Sequence, residues 1–149
     1  MENIQIVSIK MVKEKNLEYG NTQISSPKDC ANIFKKFIGD YDREALVVAT
    51  LDTKNKITSL TVGSLGSLGS LNTSIVHPRE IFKTAILGNA ATIIVGHNHP
   101  SGSIEPSKED ISITTRLKEC GKILGIELLD HVIIGEYDKY LSFKEKGLL

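Results

Sequence analysis

Apolar residues fall along this chain at two spacings, near two and near 3.6 residues, and the switch between them divides it into strands and helices. Ile4-Gln5-Ile6-Val7-Ser8-Ile9-Lys10 is β-branched and roughly alternating, which predicts an opening strand, with Glu18 to Asn21 as turn material. Ser26-Pro27 precedes Ala31, Ile33, Phe34, Phe37 and Ile38, so an N-cap, a proline at the first helical position and helical spacing predict a helix ending near Gly39. Glu44 to Leu51 is a short, nearly continuous apolar run closed by Asp52 to Asn55, followed by Ile57 to Val62: a buried strand, a turn and a second strand, paired as a hairpin. The tripled Gly-Ser-Leu stretch from Gly63 to Leu71 reads as a loop partly packed through its leucines. His77-Pro78-Arg79-Glu80 opens a helix through Ile81, Ala85, Ile86 and Leu87 to Gly88, and Ala91 to Val95 predicts a central strand. Ser107 to Gly121 repeats at helical spacing with Ile111, Leu117, Cys120 and Leu124 near one face, punctuated by Gly121 and Gly125. Leu128 to Ile134 and Tyr140 to Phe143 close the chain as a second hairpin.

This mixed order of helices and strands, without a global repeat, predicts one α/β domain over residues 1–149, since 149 residues suit a single core and no linker divides them. With 40% apolar and 24% charged residues, neither a disordered nor a fibrous chain is indicated. Eighteen Lys and Arg balance eighteen Asp and Glu, so the net basic charge of a dedicated nucleic-acid binder is missing. Cys30 and Cys120 stand far apart with no CxxC partner, which argues against a thiolate metal site and for two core residues. No signal-peptide pattern opens the chain and no apolar run approaches the length of a bilayer span, so a cytoplasmic protein off the membrane is expected.

The chemistry gathers after the central strand. In Val95-Gly96-His97-Asn98-His99-Pro100 two imidazoles stand at i and i+2, where an extended backbone turns both to one side and lets them share a cation. A strand leading through a loop into a helix start is also where clefts open at the edge of an α/β sheet. Asp110, in the first turn of the following helix, fits a third, anionic ligand, which would leave a fourth tetrahedral position open for water. It fits a capping box with Ser107 equally well. Glu44, at the mouth of the buried strand, fits a general acid/base, and a plain surface connector is the competing reading.

His97-Asn98-His99-Pro100, six further residues and then Ser107-x-x-Asp110, with an upstream glutamate, resembles the JAMM (MPN+) metalloprotease signature. Ile75-Val76-His77-Pro78-Arg79-Glu80-Ile81-Phe82, His97 to Gly102 and Leu129-Asp130-His131 narrow the resemblance to the RadC-like JAB domain, long labelled as DNA repair proteins. The resemblance implies a three-layer α/β fold around a curved mixed sheet, JAB/MPN-like and cytidine-deaminase-like. It also implies one zinc ion on His97, His99 and Asp110, Glu44 as general acid/base on the metal-bound water, and Ser107 helping to stabilise the oxyanion. Glu80 ranks second to Glu44, because it sits in a first helical turn where Glu favours the helix dipole. His77 and His131 are assigned to a helix cap or the cleft and to a hydrogen-bonded strand position, respectively, and not to the metal.

Three functions compete. The leading one is a zinc hydrolase cutting a peptide or isopeptide bond in a protein or peptide substrate. The second is a non-enzymatic module binding DNA or a repair partner, disfavoured by the zero net charge and by an opening strand where full-length RadC-like proteins carry a helix-hairpin-helix segment. The third, a single-metal phosphodiesterase, lacks the paired ions common in nucleases. Neither the substrate nor the oligomeric state is encoded in these patterns.

Overall fold

The computed structural model describes residues 1–66 and 76–149, so the Gly-Ser-Leu repeat beyond Gly66 lies outside the described residues. Helix α1 spans Pro27–Ile38 and starts in a capping box: Ser26 Oγ accepts the Asp29 amide while the Asp29 carboxylate accepts the Ser26 amide at 2.9 Å. Strands β1 (Ala45–Leu51) and β2 (Ile57–Leu65) form the expected hairpin, and β2 runs through Gly63 to Leu65, which were expected to be loop. Then follow α2 (Pro78–Leu87), β3 (Thr92–Asn98), α3 (Lys108–Leu124), β4 (Glu127–Ile134) and β5 (Tyr140–Ser142).

The five strands lie in the order β2-β1-β3-β4-β5. Pairing is antiparallel except between β3 and β4, which α3 joins as a βαβ crossover. Side chains of β1 alternate between two cores. Ala45, Val47, Ala49 and Leu51 pack with Cys30, Phe34 and Ile38 of α1, whereas Leu46 and Val48 pack with Ile81 and Phe82 of α2 and Ile113 and Leu117 of α3. The sheet is thus covered on both faces, a three-layer α/β arrangement, which is why β1 reads as a continuous apolar run. Each fully buried Leu, Ile or Phe contributes about 1.5–3 kcal/mol, so packing, more than helix propensity, holds these layers in register.

Two expectations are corrected. Residues 1–19 carry neither helix nor strand, and Ile4, Ile6, Val7 and Ile9 are exposed. Alternation alone does not make a strand, which also needs a ladder partner, and the chain first meets the sheet at the Gln23–Lys56 bridge. On α3 the buried face is Asp110, Ile113, Thr114, Leu117 and Gly121, while Ile111 and Leu124 are exposed. Gly121 lies inside that helix, where a Cβ would come within 2.5 Å of the Ile126 carbonyl oxygen, and the helix ends at left-handed Gly125. Among the described residues no helix is long and apolar enough to cross a membrane.

Candidate metal centre

Strand β3 aims the first histidine. Ile93 and Val95 face the α2/α3 core, so His97 two residues on faces the same way. Gly96 faces α1, where an added Cβ would sit 2.1 Å from the Phe34 ring, so glycine is what lets the helix lie against the strand. Both histidines were expected after the strand. Instead β3 reaches Asn98, because His97 still pairs with Leu46 on β1 and Asn98 with Ile134 on β4, and only His99 lies beyond it.

The chain then turns sharply, with the Gly102 amide donating to the His99 carbonyl at 2.8 Å, Pro100 in the turn's second position and Gly102 at φ +81°. This brings the Ser103 carbonyl to 2.8 Å from His99 Nδ1. A carbonyl only accepts, so Nδ1 donates to it, and Nε2 is the nitrogen that faces Asp110, giving it a proton in the metal-free site and able to give a lone pair to a cation.

Helix α3 supplies the carboxylate. Ser107 Oγ accepts the Asp110 amide at 3.0 Å and Asp110 Oδ2 accepts the Ser107 amide at 2.8 Å, a complete capping box. The same carboxylate reaches both imidazoles, with Oδ1 3.3 Å from His97 Nε2 and Oδ2 3.2 Å from His99 Nε2. Capping and ligation, alternatives in the sequence, are compatible here because a carboxylate has about four acceptor sites. Asp110 and His97 are buried and His99 is partly so.

The two Nε2 atoms stand 2.9 Å apart. Around a tetrahedral ion with ligand bonds of 2.0–2.1 Å, adjacent donor atoms are about 3.3 Å apart; taken one atom per residue, the three donors lie within 4.8 Å of one another, so the cluster could hold a cation. Electrostatics carry the same demand. Burial works to raise the Asp110 pKa, but hydrogen bonds from His97 and His99 outweigh it and hold the carboxyl well below the usual range. The His99 pKa is raised, chiefly by its hydrogen bond to Asp110, with burial opposing and the Glu44 charge adding to the rise.

Glu44, partly buried, immediately precedes β1. The Leu46–His97 pairing, carried two residues further along the antiparallel ladder, brings Glu44 level with His99. Asn98, between the two histidines and turned to the other face, holds this segment: its Oδ1 accepts the Ala45 amide at 2.8 Å and its Nδ2 donates to the Arg43 carbonyl at 3.0 Å. Nothing in the sequence pattern singled Asn98 out. Asn98→Ala is expected to destabilise the fold by about 1–3 kcal/mol, read from the urea midpoint, because it strips partners from backbone groups on either side of Glu44.

The remaining sequence candidates separate clearly. Glu80 is exposed in the first turn of α2 and pairs with Lys83 Nζ at 2.7 Å, a bond that holds its carboxyl below the usual range. Ser107 is exposed and serves the cap as an acceptor, with its hydroxyl hydrogen still to donate. His77 is the exposed N-cap of α2 and caps through its backbone carbonyl, which takes the Glu80 and Ile81 amides.

His131 is buried in the strand position expected for it, against His97. Its Nε2 lies 2.7 Å from His97 Nδ1, and its ring stacks on Phe143 with centroids 4.5 Å apart. A bulge aims it there. Ile93 pairs with Leu128 but Ile94 pairs with Asp130, so Leu129 is an extra residue that reverses which face the rest of β4 presents, and His131 pairs with Val95 on the α3 side. Burial, followed by the His97 charge, pushes its pKa well below the ordinary histidine value. Cys30, in the α1 core, is a free thiol raised well above its usual range by burial and then by Asp130 and Asp29.

The chain is similar to known proteins along most of its length. A UPF0758 protein of Clostridium botulinum strain Hall is 49% identical over 152 residues, covering 98% of this chain and 64% of the relative. Similar proteins of Clostridium beijerinckii and of Clostridium perfringens strain 13 are 53% identical over 127 residues and 50% identical over 132. This chain covers 54% and 56% of those two, so it spans less than two-thirds of the length of the curated relatives it matches. The RadC-like JAB domain family matches residues 24–148, which takes in every strand and helix described above. The chain belongs to the RadC-like JAB domain family.

Proposed function

We propose that this domain is a zinc-dependent hydrolase of the JAMM type that cuts a peptide or isopeptide bond. The observation that carries the reading is the convergence of His97 Nε2 and His99 Nε2, 2.9 Å apart, with the Asp110 carboxylate, whose Oδ1 and Oδ2 lie 3.3 and 3.2 Å from them, at the end of the central strand. Bound there, zinc would supply Lewis acidity and make water nucleophilic near neutral pH. His97, His99 and Asp110 hold their donor atoms toward that point through the strand, the His99–Gly102 turn and the helix cap. Glu44, whose charge reaches His99, takes the proton of the attacking water and returns it to the leaving amine. The Ser107 hydroxyl hydrogen is available to the oxyanion that develops on the carbonyl.

Metal analysis is the direct test. Purified protein reconstituted with zinc is expected to hold one ion per chain and to hydrolyse members of a peptide and isopeptide panel, with activity lost to a chelator and restored by zinc. His97→Ala is expected to lose both. A protein that takes up no stoichiometric zinc, or whose zinc and hydrolysis survive His97→Ala, would overturn the reading.

A further inference from the structure

The hydrogen-bond network continues past the three ligands, and the geometry points to His131 and Thr114 as positioning residues that decide which nitrogen of His97 faces the cation; this inference rests on the metal centre proposed above. Thr114 lies one helical turn after Asp110 on α3 and is buried. Its Oγ is 2.7 Å from the Asp110 backbone carbonyl oxygen and 2.5 Å from His131 Nδ1. The carbonyl can only accept, so the hydroxyl proton goes to it and a hydroxyl lone pair faces His131.

The remaining protons then follow in order. His131 Nδ1 donates to Thr114, and a neutral imidazole has one N–H, so His131 Nε2 is an acceptor. Across the 2.7 Å contact, His97 Nδ1 must donate. That leaves His97 Nε2, beside His99 Nε2 and Asp110, as the nitrogen that gives Asp110 a proton in the metal-free site and would give a cation its lone pair. The opposite polarity fails twice: it leaves the Thr114 and Asp110 oxygens 2.7 Å apart with no proton between them, and it puts a hydrogen on His97 Nε2 where the cation would bind.

The network closes on itself, since Asp110 ligates through its carboxylate and anchors the relay through its carbonyl. His99 gets the same service from the Ser103 carbonyl alone. His97 cannot, because it lies inside β3 with its backbone committed to the ladders on both sides, and its outer partner has to come from the next strand. The Leu129 bulge supplies that partner by turning His131 to the ligand face.

Partners that orient a ligand histidine in this way are typically worth about 10- to 100-fold in metal affinity. Two measurements test the assignment: zinc affinity by competition with a chelator, and the His97 tautomer from imidazole 15N shifts in zinc-free protein. The parent protein is expected to show His97 protonated at Nδ1. Thr114→Val, which preserves shape and removes the hydroxyl, is expected to mix the His97 tautomers and to weaken zinc binding about 10- to 100-fold, with His131→Phe doing the same. His131→Gln, which keeps an acceptor near the Nε2 position, is expected to recover most of the affinity. Because His131 is buried and its replacement could unfold the chain, Thr114→Val is the deciding variant. Zinc affinity within twofold of the parent in folded Thr114→Val, or a parent His97 protonated at Nε2 and not at Nδ1, would overturn the inference. Should His97→Ala itself leave zinc in place, the metal-centre reading falls, while the tautomer in zinc-free protein still decides the polarity of the relay.

Discussion

Glu44→Gln is expected to bind zinc as tightly as the parent and to lose about 10²- to 10⁴-fold in kcat, the usual contribution of a positioned general acid/base. Glutamine matches the shape of glutamate and keeps a hydrogen-bonding end, so a loss on this scale reads the missing proton acceptor and not a damaged fold. The side chain lies outside the His97, His99 and Asp110 cluster, which is why metal content should be unchanged. Glu80→Gln is the matched control: its carboxylate is exposed and engaged with Lys83, and the rate is expected to stay at the parent value. Zinc titration and steady-state rates on the same preparations check both. The opposite pattern, with Glu80→Gln inactive and Glu44→Gln active, would exchange the two assignments.

Gly96→Ala is expected to destabilise the protein by about 1–3 kcal/mol, the usual cost of overpacking, with the upper end favoured because the intruding methyl meets an immovable ring. Two ring carbons of Phe34 lie 2.1 and 2.3 Å from where that methyl would sit, and Phe34 is fully buried between α1 and the sheet. Relief requires moving the helix away or displacing β3, and β3 carries His97. Urea midpoints for Gly96→Ala, Phe34→Leu and the double variant form a cycle, in which the double variant is expected to be more stable than the sum of the single losses predicts. Strict additivity would show that the ring is not the obstacle.

Much of this architecture was legible where one local rule decides the outcome. Ser26-Pro27 marks the start of α1, and the unbroken apolar run marks β1 as a strand covered on both faces. Legibility ended where tertiary context chose among local options. Ile4 to Ile9 has the composition of a strand but pairs with none among the described residues. On α3 the polar Asp110 and Thr114 occupy the inward face, where they meet His97, His99 and His131, and this displaced the apolar stripe read from Ile111 and Leu124. The nearness of Glu44 to His99 is a matter of strand register across more than fifty positions, as the bond between Ala45 and Asn98, 53 apart, illustrates. The orientation of His131 depends on one bulged residue that alternation along β4 conceals. His97, His99 and Asp110 were legible because they are close in sequence as well as in space.

Asp110 ties two equilibria together. Its carboxylate caps the opening turn of α3 and also faces both imidazoles, so an ion held there draws on the acceptor that keeps the helix end wound. An ion bound there would favour the wound turn, and by linkage the wound turn would favour the ion, so steadying the end of α3 would raise ion affinity as far as that turn frays without the ion.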